Sequence, residues 1–408
     1  MTTSRRSLMK TLFSLPIYAS AARALPLTAD TAATLPDKKS FSFTGTFLNA
    51  AFTHPLGVQG RSGAEAFLDA RQHDPTQSWP RTNPRNAAVA AFAGLINADP
   101  TEVAVVPSTM GGENMVGAAL GLGPDAGVVT DAFHYGASLS MYGESQLRGV
   151  PVAVAKPRDN RIDLGDLSAL IQKNTKLVAV SLVGSVTGFQ HDLKGLCDAA
   201  HSKGALVYAD IIQAAGAVPI DVKQSGVDFA CCGTYKWLMG EFGVAFLYVR
   251  PDRLEQLRRV QFGWRSFKGE VHHVFPYDPP GPAIGDWKLG ADTASHFEVG
   301  SPDWAALAVS TASIAYVRGL GVAAIQSYRQ PMLDRLQLEL PRLGFAPLTP
   351  DARGPIVAFA AKDLAAKYGP LLDQAKIKVT LSENIMRISP SVYNDMEDIE
   401  RLLSALKS

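Results

Sequence analysis

Short apolar runs alternate with amphipathic segments along the chain from Asn83 onward. The runs have the length and the β-branched content of strands, and they are EVAVVP, GVVTDAF, VPVAVAKP, KLVAVSLV, ALVYAD, VDFACC and GVAFLYV. Segments with helical spacing, such as NAAVAAFAGLIN and LKGLCDAAHSKG, lie between them. Strands that are apolar on both faces and alternate with helices predict an α/β fold with a mostly parallel sheet covered by helices. Right-handed crossovers then place the loops after the strands along one edge.

The alternation stops after Arg259. Residues 262–289 form a stretch rich in glycine, proline and aromatics, which we interpret as a long loop that walls a pocket or packs as a cover. Long helices, two short strands and a last helix follow, which predict a smaller α+β domain. We therefore expect an N-terminal segment at 25–59 that packs on the small domain, a large domain at 60–290 and a small C-terminal domain at 291–408.

Composition limits the kind of partner. The chain has 408 residues, 47% of them hydrophobic and 19% charged, with a net charge of +1, so neither nucleic acid binding nor stable membrane association is predicted. The three cysteines have neither a disulfide framework nor metal-binding spacing, so no metal site is predicted. We interpret them as small core residues.

The first residues have the features of an export signal. Paired arginines in SRRSLMK precede a short apolar stretch and the small-residue site ARA, which resembles a twin-arginine (Tat) signal at residues 1–24. The alternative is a basic tail. Since the Tat route carries folded proteins, the signal predicts a periplasmic protein that acquires its cofactor before export.

Lys236 is the first candidate for chemistry. It lies in GTYKWLMGEFG between two apolar runs, where burial disfavours the ammonium, lowers the pKa and makes the amine a nucleophile toward carbonyls. Asp210 closes the preceding strand in YADIIQAAG, although it would also suit a helix N-cap. A carboxylate there would keep a pyridine nitrogen protonated. The pair predicts pyridoxal 5'-phosphate bound covalently to Lys236.

Several hydroxyl groups near loops or helix starts are candidates for the cofactor's phosphate. Ser108 and Thr109 begin a helix in PSTMGGENM, where free amides and the helix dipole favour an anion. Thr234 and Tyr235 precede Lys236, and Ser301 lies in FEVGSP. The alternative at each helix start is ordinary capping.

Other side chains are candidates for the ring and for the substrate. His134, or Phe133 beside it, would lie flat on the ring, unless the histidine is a satisfied core residue. Ser185 would contact the ring hydroxyl, unless SLVGSVTG is only a turn. Arg387 in ENIMRISPSVYN would bind a substrate carboxylate, unless it is an exposed edge-strand residue.

These motifs, in this order, resemble the class V aminotransferase-like enzymes of pyridoxal-phosphate fold type I. That family includes cysteine desulfurases, kynureninase and isopenicillin N epimerase. The resemblance covers nearly the whole chain from FLNAAF at Phe47, and its most specific part is KLVAVSLVGSVTGFQHDLKGLCDAAHSKGALVYADIIQAAGAVPIDV. It implies an enzyme that acts on an amino acid, as a homodimer with the active site at the subunit interface.

The resemblance also assigns residues. It implies that Lys236 binds the cofactor and that Gln213 bonds the ring hydroxyl. It implies that Asn49 and Arg387 bind the substrate. The remaining assignments are Asp210 under the ring nitrogen, His134 on the ring, Ser301 at the neighbouring subunit's phosphate, and Ser108, Thr109, Met110, Ser185, Thr234 and Tyr235 around the cofactor. Met110 and Ser185 depart from the family's threonine and asparagine.

The shared first step, removal of the α-proton, leaves the outcome open. The resemblance favours an isopenicillin N epimerase-like or aminotransferase class V activity. The alternatives are a C–S or C–C lyase and a catalytically silent cofactor-binding protein. Desulfurases carry a cysteine shortly before the carboxylate-binding arginine, but KIKVTLSENIM contains none, so persulfide chemistry at that place is not expected.

Overall fold

The computed structural model describes residues 34–73 and 84–407. The predicted signal at 1–24 lies outside the described residues, as does the first part of the segment at 25–59. The helices are α1 Val58–His73, α2 Pro84–Leu95, α3 Thr109–Leu120, α4 Gly136–Leu147, α5 Leu164–Ala169, α6 Leu193–His201, α7 Val222–Ser225, α8 Pro251–Leu254, α9 Thr293–Phe297, α10 Trp304–Leu320, α11 Val322–Arg342, α12 Leu364–Gln374 and α13 Met396–Lys407. The strands are β1 Thr46–Phe47, β2 Val103–Val106, β3 Gly127–Asp131, β4 Val152–Ala155, β5 Thr175–Ser181, β6 Leu206–Asp210, β7 Phe229–Gly233, β8 Ala245–Val249, β9 Phe267–Val271, β10 Asp286–Leu289, β11 Ala346–Pro347, β12 Val357–Ala360, β13 Ile377–Lys378, β14 Thr380–Leu381 and β15 Ile385–Ile388.

A seven-stranded sheet in the order β2-β8-β7-β6-β5-β3-β4 is the centre of the fold. Five neighbouring strands, β4, β3, β5, β6 and β7, run parallel, and β8 is antiparallel to both of its neighbours. The prediction of an α/β fold with a mostly parallel sheet is therefore confirmed. The ends of the strands are in register, because Ser181 pairs with Asp210 and Asp210 pairs with Cys231. The loops after β5, β6 and β7 consequently leave the sheet side by side.

Both faces of this sheet are buried, as continuous apolar strands require. Phe92 of α2 stacks on Phe246 of β8 at 4.6 Å, on the face that also receives Leu307 and Ile314 of α10. A second buried cluster is formed by other side chains of the same strands, among them Tyr208 of β6. Residues of α3 and α4 complete this cluster. Helix α10 follows the boundary expected between residues 290 and 291, yet it contributes to the core of the large sheet. That boundary stays a prediction.

A four-stranded antiparallel sheet in the order β11-β12-β15-β14 forms a separate layer with α11, α12 and α13. Leu48, from the N-terminal segment, is buried in its core. The sequence pattern predicted two short strands in this part of the chain, but between residues 346 and 388 the structure has five, β11 to β15. Since β15 lies between β12 and β14, Arg387 is on an inner strand and not on an edge.

The stretch at 262–289 also differs from its prediction as a loop. Strands β9 and β10 pair as an antiparallel hairpin within it. Every residue of β10 is exposed, and β9 is nearly so, hence neither strand shows the apolar runs by which buried strands are recognised.

The long helices were also compared with the requirements for a membrane span. In the ranges 34–73 and 84–407, no single helix is both long enough and apolar enough to cross a membrane. Helices α10 and α11 meet the requirements of length and composition only when they are taken together, and they meet at a bend of 71°.

Candidate functional site

Lys236 lies in the turn after β7, with 9% of its surface exposed. Its Nζ is 5.8 Å from the centroid of the Tyr235 ring. In the part of the chain that the structure describes, no acceptor or carboxylate bonds to this nitrogen. Burial is the main reason that its pKa falls, from 10.5 to about 8, while the Asp210 carboxylate opposes the fall and the Arg387 guanidinium adds to it. A neutral amine is therefore accessible near neutral pH.

Asp210 ends β6 and is 4% exposed. Its Oδ1 accepts the backbone N–H of Ile212 at 2.9 Å, and no helix follows it, so the alternative of a helix N-cap is wrong. Burial raises the pKa of Asp210 to about 6, and the charge on Lys236 is among the effects that lower it. The lysine and the carboxylate thus influence each other electrostatically, yet they form no ion pair.

His134 lies in the loop after β3, and its side chain has no exposed surface. Its Nδ1 is 2.9 Å from the Ser181 hydroxyl, and its Nε2 is 2.9 Å from the Glu113 carboxylate. The histidine is therefore fully engaged on both nitrogens, as a satisfied core histidine would be. Its contact with a cofactor ring stays a prediction.

Gln213 is 1% exposed, and both ends of its amide have partners. Its Oε1 accepts the indole N–H of Trp237 at 2.8 Å, and its Nε2 donates to the Ala51 carbonyl at 2.9 Å. Because an indole nitrogen only donates, the orientation of the amide is fixed, and one N–H of Nε2 remains for another acceptor. The predicted bond to a ring hydroxyl would have to use this hydrogen.

The start of α3 supplies amides more than hydroxyls. Ser108 is the N-cap, since its Oγ accepts the Gly111 N–H at 3.0 Å, as the alternative of ordinary capping predicts. The Thr109 Oγ accepts the Gly233 N–H at 2.9 Å and ties α3 to β7. Among the described residues, no acceptor bonds to the amides of Thr109 and Met110, which are the free donors of this helix start.

Thr234 has a different role from the one predicted. It is fully buried, and its hydroxyl bonds to the carbonyls of Glu241 and, at 3.2 Å, Val244. The hydroxyl thus closes the turn that carries Lys236, so Thr234 is removed from the predicted phosphate ligands. Tyr235 stacks on Phe242 at 4.4 Å and is half-buried.

Arg387 is buried and held at both ends of its guanidinium. Its Nη1 donates to the Ser185 carbonyl at 2.6 Å, and its Nη2 donates to the Thr380 hydroxyl at 2.8 Å. Thr380 in turn donates to the Asn49 Oδ1 at 2.6 Å. Among the described residues no group bonds to the Arg387 Nε, and burial lowers the pKa of Arg387 to about 10. The structure therefore joins three predicted residues, although Ser185 acts through its backbone carbonyl.

Ser301 lies apart from these groups. It is exposed, and in the described chain no atom beyond the residues adjacent to Gly300 comes within 4 Å of the position that a Cβ on this glycine would take. Within the described chain, nothing brings Ser301 to the site around Lys236.

Sequence reasoning missed Glu113 and Trp237, which form hydrogen bonds with the predicted residues His134 and Gln213. Glu113 is a charged residue in GGENMVGAAL, an otherwise small and apolar helix, and that contrast was the available signal. Trp237 directly follows Lys236, and its role depends on a contact with Gln213, 24 positions away, that no local pattern reveals.

The chemical groups at this site fit pyridoxal phosphate. The amine of Lys236 has no partner in the described chain, and the second carboxylate oxygen of Asp210 has no bonded donor there. The free amides of Thr109 and Met110 begin a twelve-residue helix and suit a phosphate. These groups would hold the aldehyde carbon, the ring nitrogen and the phosphate, respectively.

Comparisons with known proteins point to one family. A family model described as Aminotransferase class-V matches residues 73–402. The uncharacterized aminotransferase YcbU of Bacillus subtilis (strain 168) is 27% identical over 327 residues, which are 77% of this chain and 81% of that protein. A cysteine desulfurase of Yersinia pseudotuberculosis serotype O:1b (strain IP 31758) is 27% identical over 299 residues, which are 69% of this chain and 70% of that one.

Solved structures support the same fold. The complex of the cystine C–S lyase C-DES with its product cysteine persulfide has a TM-score of 0.79 at 18% identity, and it covers 89% of this chain and 97% of that chain. A C-DES mutant with glycine covalently linked to its PLP cofactor has a TM-score of 0.78 at 20% identity, with coverages of 91% and 99%.

Proposed function

We propose, from the premise that this chain belongs to the aminotransferase class V family and uses pyridoxal phosphate, that it removes the α-proton of an α-amino acid with Lys236 as the base. The predictions of the family, of fold type I, of the cofactor and of an enzyme are confirmed. The observation that carries the proposal is the buried, unpaired amine of Lys236, whose pKa burial lowers to about 8. When bound, pyridoxal phosphate accepts the electron pair that the departing proton leaves.

Arg387 supports an amino acid as the substrate. A guanidinium has five N–H donors, and the bonds to Ser185 and Thr380 use two of them. The other three have no acceptor in the described chain, and we infer that they bind the substrate's carboxylate. The pKa of Lys236 responds to Arg387, so the carboxylate site and the base lie within electrostatic range of each other. We propose that a carboxylate held on Arg387 brings the substrate's α-carbon to the base, as proton transfer requires.

The branch after proton removal is either transamination or elimination of a side-chain group. The relatives named above are described as an aminotransferase and as a desulfurase, so epimerisation gains no support from them. The three cysteines are buried, and burial raises the pKa of Cys197 to about 12 and those of Cys231 and Cys232 well above the ordinary range. We therefore propose a lyase or transaminase that forms no persulfide on the protein.

The test combines a spectrum with a substrate panel. Purified protein loaded with pyridoxal phosphate should show a visible absorption band, which Lys236→Ala should lose. Adding amino acids one at a time should change the band for at least one of them, and assays for keto acid, racemised product and released sulfide identify the branch. If no amino acid changes the band, the protein is a silent cofactor-binding protein and the proposal is refuted.

We also propose a homodimer in which Ser301 reaches the neighbouring subunit's phosphate. The exposure of Ser301 and the open space beside Gly300 support this arrangement, as do exposed aromatics at 262–289 such as Phe275 and Trp287. Sedimentation should give a dimer. Hybrids of Lys236→Ala with Ser301→Ala subunits should contain one site with both defects and one with neither, so they should bind the cofactor at half their sites with unchanged affinity. Monomers at micromolar concentration would refute the dimer.

Export by the Tat route is a further proposal, supported by SRRSLMK alone. The protein should be found in the periplasmic fraction. Replacing Arg5 and Arg6 by lysine should retain it in the cytoplasm with its cofactor bound. Unchanged export of this variant would refute the route.

A further inference from the structure

A buried cluster of polar side chains surrounds Glu113, in the second turn of α3. Glu113 is 1% exposed, and its carboxylate accepts three hydrogen bonds. The donors are His134 Nε2 at 2.9 Å, Ser138 Oγ at 2.6 Å and Tyr142 OH at 2.8 Å. Three donors on one carboxylate satisfy its ionised form. This arrangement suits Glu113 as an anion inside the protein.

The second nitrogen of His134 connects this cluster to the edge of the sheet. Nδ1 is 2.9 Å from the hydroxyl of Ser181, which also accepts the backbone N–H of Tyr135 at 3.2 Å. Ser181 ends β5 and pairs in register with Asp210 at the end of β6. The imidazole is thereby anchored to the strand position directly beside Asp210.

A buried carboxylate needs a nearby positive charge. In the described chain no lysine or arginine bonds to Glu113, and of its three donors only His134 can be a cation. Burial works against both charges, since it raises the pKa of Glu113 and lowers that of His134. Their mutual hydrogen bond and attraction outweigh it, so that the pKa of Glu113 falls below its usual value and the pKa of His134 rises above it.

We propose that Glu113 is a positioning residue that holds His134 as an imidazolium beside Asp210, so that Asp210 stays ionised for the cofactor's ring nitrogen. The positive charge of His134 lowers the pKa of Asp210 more than the negative charge of Glu113 raises it. The pair is neutral as a whole, but His134 is the member that the bond to Ser181 anchors at the strand position beside Asp210. This inference depends on the family's cofactor and not on the reaction proposed above.

Other titratable groups also face this cluster. Asp131 from β3 favours the charged His134, but its own Oδ2 accepts from His191 at 3.0 Å. Burial and the negative charges around them raise the pKa values of the remaining neighbours, which leaves those groups neutral. They are Tyr142 from α4, Tyr208 from β6 and Cys231 from β7. The charge of Lys236 also lowers the pKa of Asp210.

The test compares Glu113→Gln with Ser138→Ala as a matched control. The glutamine keeps the shape but loses the charge, whereas the control removes one hydrogen bond and leaves the charge in place. The first readout is the NMR spectrum of the imidazole nitrogens of His134, recorded from pH 5 to pH 9 on protein labelled with ¹⁵N-histidine. The His134→Gln variant assigns the signals. The second is the dissociation constant of pyridoxal phosphate at pH 7, measured from the visible band.

We expect the wild type and Ser138→Ala to show doubly protonated His134 at pH 7, and Glu113→Gln to show a neutral ring. We also expect Glu113→Gln to weaken pyridoxal phosphate binding about twofold at pH 7, because a rise of about one unit in the pKa of Asp210, from about 6, lowers its ionised fraction from about nine tenths to about half. A neutral His134 in the wild type at pH 7 would overturn the inference even if Glu113→Gln failed to fold. Unchanged cofactor affinity in a folded Glu113→Gln would overturn the link to Asp210. Neither readout uses a substrate, so each can fail independently of the proposed reaction.

Discussion

Replacing Asp210 by asparagine should stabilise the apoprotein, although it removes a group that the cofactor needs. The amide has the shape of the carboxylate, and its oxygen can still accept the Ile212 N–H now bonded at 2.9 Å. Burial raises the pKa of Asp210 from 3.8 to about 6. At about 1.36 kcal/mol per unit, the ionised carboxylate destabilises the folded apoprotein by about 3 kcal/mol.

The direction in which the stability of the apoprotein changes with pH follows from proton binding. Because the pKa is raised on folding, the folded protein binds more protons than the unfolded chain between pH 4 and pH 6, and its stability falls as the pH rises through that window. The gain from Asp210→Asn should therefore be about 3 kcal/mol at pH 8 and about half of that at pH 5. Urea unfolding of the apoprotein at equal protein concentration measures the difference.

Added pyridoxal phosphate should make the wild type more stable than Asp210→Asn, because the cofactor's ring nitrogen pairs with Asp210 in the wild type alone. The exposed Asp125→Asn serves as the control, with an expected change within about 0.5 kcal/mol. The reasoning would be refuted if Asp210→Asn were no more stable than the wild type at pH 8, or if its gain did not shrink at pH 5.

Three further predictions concern the substrate clamp, the thiols and one turn. Arg387→Lys should lower kcat/KM for the best amino acid of the panel about 10- to 100-fold, since an ammonium cannot replace the planar donors held by two bonds. All three cysteine thiols should resist a thiol reagent in the native protein and react after denaturation, since all are buried. Gly188→Ala should destabilise the protein by about 1–3 kcal/mol in urea, because φ is +71° and a Cβ would lie 2.3 Å from the Ile356 carbonyl oxygen.

Each of these three predictions has a control or a contradicting outcome. Arg148 is exposed, so Arg148→Lys should leave kcat/KM unchanged. An equal loss of kcat/KM in Arg148→Lys and Arg387→Lys would show that Arg387 does not bind the carboxylate. Fast labelling of any native thiol would contradict the burial of the cysteines. Gly204→Ala has a similar φ of +80° but nothing within 4 Å, so it isolates backbone strain from close approach. If both alanines had the same effect, the contact with Ile356 would be unimportant.

The ends of the large sheet's strands could be predicted because their signals are local. Asp210 and Lys236 follow apolar runs that are strands in the structure, and parallel strands place such residues at one edge. The environment of His134 could not be predicted, since His134 is in a loop and its partner Glu113 is on α3, 21 positions away. A sequence pattern identifies the end of a strand, but it does not show which buried side chains meet there.

Two errors have a similar physical cause. Thr234 has the right residue type and position for a phosphate ligand, but its hydroxyl bonds to Glu241 in the turn, a contact between short-range neighbours that competes with any ligand. The hairpin of β9 and β10 escaped prediction because its strands are exposed, and an exposed strand carries no apolar signal. Burial, rather than hydrogen bonding, is what sequence patterns report.

The bond between Thr380 and Asn49 has a consequence for engineering. It joins positions 331 residues apart, and Arg387 is fixed through the same hydroxyl. A chimera that takes only its C-terminal third from a relative would thus inherit half of the recognition apparatus and keep a mismatched asparagine from the parent. Swapping specificity between family members would require exchanging the beginning and the end of the chain together.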